Sequence, residues 1–217
     1  MRVKVCGMRD QANIEQIIAL EPDFIGFIFY EKSSRYVGEG LDEEFIKSIP
    51  QHIGKVGVFV NSLPNYILSM VKKYDLQYVQ LHGNELPDFC RIIRQKGVSV
   101  IKAFAIDENF NFGMLTNYKP HCDLFLFDTK GALPGGNGVA FDWKLLQKYD
   151  REKPFIISGG IHLDNLEEIA ELTKTLPVYA VDINSRFEVA PGQKDAKKIG
   201  EFIQLMKKIK EDREIEV

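Results

Sequence analysis

Cysteine is scarce in this chain and poorly spaced for any framework: Cys6, Cys90 and Cys122 are odd in number, and no two of them form a CxxC pair. This excludes a disulfide scaffold and a cysteine-built zinc site, and it points to a reducing cytoplasm. An excess of positive charge is also lacking. With 28 Lys and Arg against 31 Asp and Glu, the formal net charge is -3, so no basic stripe is available to neutralise nucleic-acid phosphates. Long apolar runs are missing too. No segment offers the roughly 18 uninterrupted apolar residues of a membrane span, and the opening MRVKVCGMRD is too short and too interrupted to read as a signal peptide. The chain also lacks a linker and any low-complexity tract. The expectation is a soluble cytoplasmic protein that engages neither nucleic acid nor membrane.

What is present is a recurring strand and helix pattern. The 217 residues are 45% hydrophobic, enough for one sizeable core and one domain spanning residues 1–217. Near-continuous apolar runs, the mark of strands buried on both faces, fall at 3–6, 24–29, 55–60, 78–82, 98–106, 124–128, 154–160 and 178–183. Most of the gaps between them carry helical spacing, as in Ile14, Ile17 and Ile18, or Ile199, Phe202, Ile203 and Met206. Eight such alternations predict an α/β fold, a single (βα)8 TIM barrel. Between 107 and 120, Asn, Phe, Gly and Pro interrupt the helical face, so the fifth helix is expected to be degraded or replaced by a loop. The charged stretch 207–216 reads as the last helix fraying into solvent.

In such a barrel the reacting groups belong at the C-terminal ends of the strands, where they converge on one mouth. The polar residues at those ends are Cys6, Gln80 with His82, Asp128, the pair Gly159 and Gly160, and Asp182 followed by Asn184 and Ser185. A thiol at Cys6 can act as a general base because its reference pKa of roughly 8.5 lies near working pH. Core filler is the alternative reading of a small buried cysteine. Asp128 ends the apolar run LFLF with no cation beside it in sequence, a setting in which desolvation favours a proton donor; capping the next loop is its alternative. The stretch TKGALPGGNGVAFDW that follows, with Gly135, Gly136 and Gly138, is long and glycine-rich, like a lid over bound substrate. SGG at 158–160 and DINS at 182–185 occupy the strand 7 and strand 8 loops, where barrels bind phosphate through backbone N–H groups. Arg35 in KSSRYV is a candidate clamp for a substrate carboxylate. His52, His121 and His162 have no matching partners in sequence and read as structural or exposed residues.

Taken in order, KVCGMRD at 4–10, VQLHG at 79–83, FDT at 127–129 with GGNGVAFDW at 135–143, SGGI at 158–161 and VDINSRFEVAPGQKD at 181–195 resemble the phosphoribosylanthranilate isomerase family of tryptophan biosynthesis. The resemblance runs from the first strand to the last helix. It implies an Amadori rearrangement of N-(5-phosphoribosyl)anthranilate to 1-(2-carboxyphenylamino)-1-deoxyribulose 5-phosphate, with no metal or organic cofactor and a small phosphosugar as the only partner. It further implies Asp128 as the acid on the ribose ring oxygen and Cys6 as the base at C2. Arg35 would bind the anthranilate carboxylate, Gly160, Asn184 and Ser185 the phosphate, and Gln80 and Asp182 would shape the sugar site. One departure stands out: the eighth loop of this family commonly reads DVSSGVE, whereas this chain has DINSRFE, with Arg186 and Phe187 in place of small residues.

Two other readings remain open at this level. Another phosphosugar isomerase or an epimerase would share the phosphate loops; an epimerase would want metal ligands, for which the strand ends offer no clear His/Asp set. A catalytically silent barrel binding a phosphorylated metabolite would need the phosphate loops but not Cys6 and Asp128. A monomer and a homodimer are equally compatible with the sequence.

Overall fold

The computed structural model describes residues 1–38, 40–129 and 142–215, with side chains as far as residue 209. Eight strands pair in chain order and close into a barrel: β1 (Arg2–Cys6), β2 (Phe24–Ile28), β3 (Gly54–Phe59), β4 (Tyr78–Leu81), β5 (Ser99–Ile106), β6 (Leu124–Thr129), β7 (Phe155–Ile157) and β8 (Val178–Ile183). All the pairings within the barrel are parallel, and the ring closes where β1 meets β8, with Lys4 opposite Asp182. The helices are α1 (Gln11–Ile18), α2 (Glu43–Ser48), α3 (Pro64–Tyr74), α4 (Pro87–Arg94), α5 (Leu166–Thr175) and α6 (Ala196–Ile215). A small hairpin, β9 (Glu188–Ala190) with β10 (Gln193–Lys194), rises between β8 and α6. This is the (βα)8 barrel that the sequence predicts.

The expected weak fifth unit is indeed not an α-helix. It consists of two short 3-10 turns, Phe112–Asn117 and Lys119–His121. The sixth helical position is likewise a 3-10 turn, Trp143–Lys148, which the periodicity did not single out. Here Asp142 caps the turn through the Lys144 N–H, and buried Trp143 and Leu146 anchor it. The other helices start where local chemistry allows. Asp10 accepts from the Asn13 N–H at 2.9 Å to begin α1, and Pro64 and Pro87 occupy first-turn positions of α3 and α4, where a missing N–H costs nothing.

A side-chain period of two along each strand divides the core into two layers. Outward-facing Val3, Val5, Ile25, Phe27, Val79, Phe125, Phe127 and Ile157 pack under the helices in one large cluster. Inward-facing Phe24, Val56, Ile101, Leu124, Leu126, Ile156 and Ala180 fill the barrel itself, with Tyr78 and Tyr179 against them. Continuing the inward set toward the C-terminal ends replaces apolar residues by Cys6, Gln80, Asp128 and Asp182, all buried. The same alternation that fills the barrel floor therefore delivers the polar groups to its mouth.

The outer layer also holds a buried ion pair. Lys102 on β5 donates to Glu85 at 3.1 Å and to the carbonyls of Leu81, Gly83 and Ala103. Glu85 in turn accepts the N–H groups of Asn61 and Gly83, tying the loops after β3 and β4 together. With both side chains only 2% exposed, removing one partner strands the other charge away from water. Glu85→Ala is therefore expected to cost about 3–5 kcal/mol in urea unfolding. Glu171→Ala, which removes an exposed pair with Lys174, should leave the midpoint unchanged.

Candidate active site

One cavity opens at the C-terminal mouth of the barrel, and Cys6, Arg35, Gln80, Asp128, Gly160, Asp182, Asn184 and Ser185 all line it. These are all the predicted site residues except the lid glycines Gly135, Gly136 and Gly138, which lie outside the described residues. The excluded histidines keep away: His52 is exposed, His121 ends a 3-10 turn, and His162 caps the turn Leu163–Asn165. Among the described residues no group of His, Cys, Asp and Glu is placed to hold a metal ion.

Cys6 ends β1 facing inward. Gly26 on the neighbouring strand makes room for it: a Cβ there would sit 2.8 Å from the Cys6 sulfur. The Lys4 ammonium, two residues earlier on the same inward face, donates to Asp182 Oδ2 at 2.9 Å and brings its charge to bear on the Cys6 thiol. Burial pushes the Cys6 thiol above its ordinary range; the Lys4 and Lys194 charges pull it back down, while Asp182 opposes them. Burial also acts against the Lys4 charge, but Asp182 and Cys6 outweigh it and hold the Lys4 ammonium above its usual value. Lys4 thus remains a cation beside a thiol whose ionisation it favours.

Asp128 ends β6 on the same inward face. Its Oδ1 accepts the Thr129 N–H at 2.8 Å, and its Oδ2 lies 3.4 Å from His82 Nε2. The other ring nitrogen of His82 meets the Gln80 amide at 2.8 Å, so the chain Gln80, His82, Asp128 fixes the ring between an amide and a carboxyl. Gly159, at φ +85°, backs onto this acid: a Cβ would come within 2.2 Å of Thr129 Oγ1 and 2.9 Å of Asp128 Oδ1. Two buried polar atoms at the mouth lack a protein partner, one end of the Gln80 amide and Asp182 Oδ1. Buried acceptors without donors are costly, and both atoms belong to residues lining the cavity, where a ligand can supply donors.

On the far side of Cys6 lies a network that sequence reasoning missed. Arg35 holds Glu188 through Nε at 2.9 Å and Nη2 at 2.7 Å. Lys194 donates to the same carboxylate and to Asn184 Oδ1, both at 2.6 Å. Burial would raise the Glu188 carboxyl, but hydrogen bonds and charge from Arg35 and Lys194 hold it below its ordinary range. Burial lowers Lys194 more than Glu188 restores it. The fork of Arg35 is thus already spent on Glu188, and only its Nη1 edge remains for a ligand carboxylate. His82, Glu188 and Lys194 all lie within the quoted motifs VQLHG and VDINSRFEVAPGQKD, but spacing alone did not assign them partners.

Residues 3–205 match the family model described as N-(5'-phosphoribosyl)anthranilate (PRA) isomerase. The chain is 43% identical over 206 residues to the N-(5'-phosphoribosyl)anthranilate isomerase of Parabacteroides distasonis, covering 94% of this chain and 92% of that one. Its backbone is similar to the crystal structure of phosphoribosyl anthranilate isomerase from Thermus thermophilus, with a TM-score of 0.82 at 28% identity over 96% of this chain and 100% of that one. It is also similar to a phosphoribosyl anthranilate isomerase crystallised in complex with reduced 1-(o-carboxyphenylamino)-1-deoxyribulose 5-phosphate, with a TM-score of 0.79 at 32% identity over 95% of this chain and 98% of that one.

The Lys4 contact makes a direct prediction about Cys6. Thiolate, not thiol, reacts with iodoacetamide, so alkylation should rise with pH, and only above the ordinary thiol range because burial raises Cys6. Lys4→Met removes the nearest cation and should move that rise to still higher pH, slowing alkylation at any fixed pH below it. Mass spectrometry of the Cys6 peptide across a pH series reads the shift, and an unchanged profile would remove Lys4 from the control of Cys6.

Proposed function

Since the chain belongs to the N-(5'-phosphoribosyl)anthranilate isomerase family, and so isomerises N-(5-phosphoribosyl)anthranilate in tryptophan biosynthesis, we propose that Asp128 and Cys6 carry its two proton transfers. The observation that carries this reading is that a carboxyl and a thiol line one cavity at the ends of β6 and β1. His82 Nε2 lies 3.4 Å from the first, and the Lys4 charge favours the ionised form of the second.

Asp128 protonates the ribose ring oxygen as the bond from that oxygen to C1 breaks, leaving a Schiff base between C1 and the anthranilate nitrogen. Cys6, as thiolate, then takes the proton from C2, and the electron pair of that C–H bond moves to form the enolamine. Tautomerisation puts a proton on C1 and leaves a ketone at C2, so substrate and product are isomers. Burial raises the Cys6 thiol while Lys4 and Lys194 favour its ionised form, and abstraction beside an iminium demands only a modest base. His82 is a positioning residue, holding the carboxyl of Asp128 toward the cavity.

The rest of the substrate finds matching chemistry. Sugar hydroxyls supply donors to Asp182 Oδ1 and the unpartnered end of Gln80. The phosphate sits on the loops after β7 and β8, where Gly159 and Gly160 take φ of +85° and +66° and Gly160, Asn184 and Ser185 line the cavity. With Asn184 Oδ1 occupied by Lys194, the N–H₂ end of that amide is the one left to donate. The Nη1 edge of Arg35 meets the anthranilate carboxylate. The reaction as drawn uses no cofactor. We further place the protein in the cytoplasm, since its cysteines are free thiols and no helix among the described residues is long and apolar enough to cross a membrane. One chain contributes every residue invoked, so a monomer or a homodimer can serve.

Loss of anthranilate fluorescence with freshly made phosphoribosylanthranilate follows the reaction directly. Cys6→Ser and Asp128→Asn should each lower kcat by about 100-fold or more with little change in KM, the scale of a lost general acid or base. His82→Asn, acting through Asp128, should lower kcat less and displace the pH–rate profile. Wild-type kcat in either of the first two variants removes that residue from proton transfer.

A further inference from the structure

Resting on the reading that the phosphate occupies the loops after β7 and β8, we propose that Lys194 is a positioning residue for it, turning the Asn184 amide so that its N–H₂ end meets the phosphate. The Lys194 ammonium touches Asn184 Oδ1 and Glu188 Oε1, each at 2.6 Å. Asn184 lines the cavity beside Gly160 and Ser185. Lys194 lies outside that lining, with its side chain fully buried.

An asparagine amide has a donor end and an acceptor end of nearly equal size, and turning it over exchanges them. The ammonium settles which way it points. Lysine has N–H donors and no acceptor, so the end it touches is the carbonyl oxygen, and the N–H₂ is left to donate elsewhere. Turned over, the same amide would offer a phosphate dianion a carbonyl oxygen and repel it.

Glu188 is what makes this hold necessary. Its carboxylate accepts from Arg35, from Lys194 and from the Gly192 N–H at 3.0 Å, and it shares one ammonium with Asn184. A carboxylate so placed attracts the N–H₂ end of the amide, the orientation that fails a phosphate. Lys194 bridges the two acceptors and reverses that preference. Arg35 and Lys194 both face this single carboxylate, so the three side chains together are net positive when ionised, as an anion subsite requires.

The lysine stem is fixed from outside the cavity. Asn13 on α1, itself buried, accepts the Lys194 N–H at 2.7 Å and donates to the Lys194 carbonyl at 2.9 Å. This bracket docks the hairpin of β9 and β10 onto α1 and sets where the side chain begins its reach toward Asn184.

A double-mutant cycle tests the proposal with inorganic phosphate as competitive inhibitor, which reads the subsite apart from proton transfer at Cys6. Asn184→Ala and Lys194→Met should each raise the phosphate inhibition constant about 10-fold or more, the loss of one donor to a charged group. Adding Asn184→Ala to Lys194→Met should weaken phosphate no further, because the amide is already misdirected. In wild-type protein the Asn184 side-chain N–H₂ signal, identified by its absence from Asn184→Ala, should shift in two-dimensional N–H NMR spectra when phosphate is added. If the two losses multiply in the double variant, Lys194 acts independently of Asn184 and the proposal is overturned. Wild-type phosphate inhibition in Lys194→Met overturns it too, as does an N–H₂ signal that phosphate does not move, a measurement that needs no folded Lys194 variant. If Ser185→Ala weakens phosphate and Asn184→Ala does not, the phosphate stays on these loops and only the role of the amide falls. If neither variant weakens phosphate, its placement on these loops falls as well.

Discussion

The seam between β1 and β8 is the constraint on which the rest depends. Closing the barrel places Lys4 opposite Asp182, and their 2.9 Å ion pair lies in the interior with Lys4 fully buried. Such a pair contributes little net stability relative to apolar residues of the same size, because both charges have given up water. Its position accounts for its value. Two residues along β1 the inward side chain is Cys6, and two along from Asp182 the chain reaches Asn184. Barrel closure therefore assembles the proposed base, the cation that favours its ionised form and the start of the proposed phosphate loop in one event.

The same logic governs the other charges at the mouth. Arg35 arrives from the loop after β2 and Glu188 from the hairpin after β8, and their two-pronged contact joins these remote segments across the rim. Lys194, on the other strand of that hairpin, joins Glu188 to Asn184. His82 and Asp128 bring the ends of β4 and β6 together. With Arg35 and Lys194 sharing Glu188 and Lys4 held by Asp182, the polar groups left over at the mouth include the Nη1 edge of Arg35, the N–H₂ of Asn184, the unpartnered end of Gln80 and Asp182 Oδ1. Two of these leftovers are donors and two are acceptors, a set that suits a substrate with acidic ends and a hydroxylated middle.

Much of this was legible in the chain because parallel strands buried on both faces announce themselves as short apolar runs. The polar residue ending such a run stands out: Cys6 after VKV and Asp128 after LFLF are conspicuous for that reason. Less legible was the sixth helical position, where Trp143 and Leu146 carry a helix-like spacing but settle into a 3-10 turn. Least legible were the partners. His82 is separated from Asp128 by 46 residues and Arg35 from Glu188 by 153, and no local pattern marks groups so distant as neighbours.

The sequence by itself determined the strand and helix alternation, the barrel class and the identity of the polar residues at the strand ends, because these follow from hydrophobic period and local turn chemistry. Only the tertiary structure decided how those residues are charged and what they can still bind. Ionisation of Cys6 depends on burial and on how near Lys4 and Lys194 come, and the capacity of Arg35 depends on whether Glu188 has taken its fork. Electrostatic energies fall with distance through a medium set by burial, and both quantities come into being only when the barrel closes.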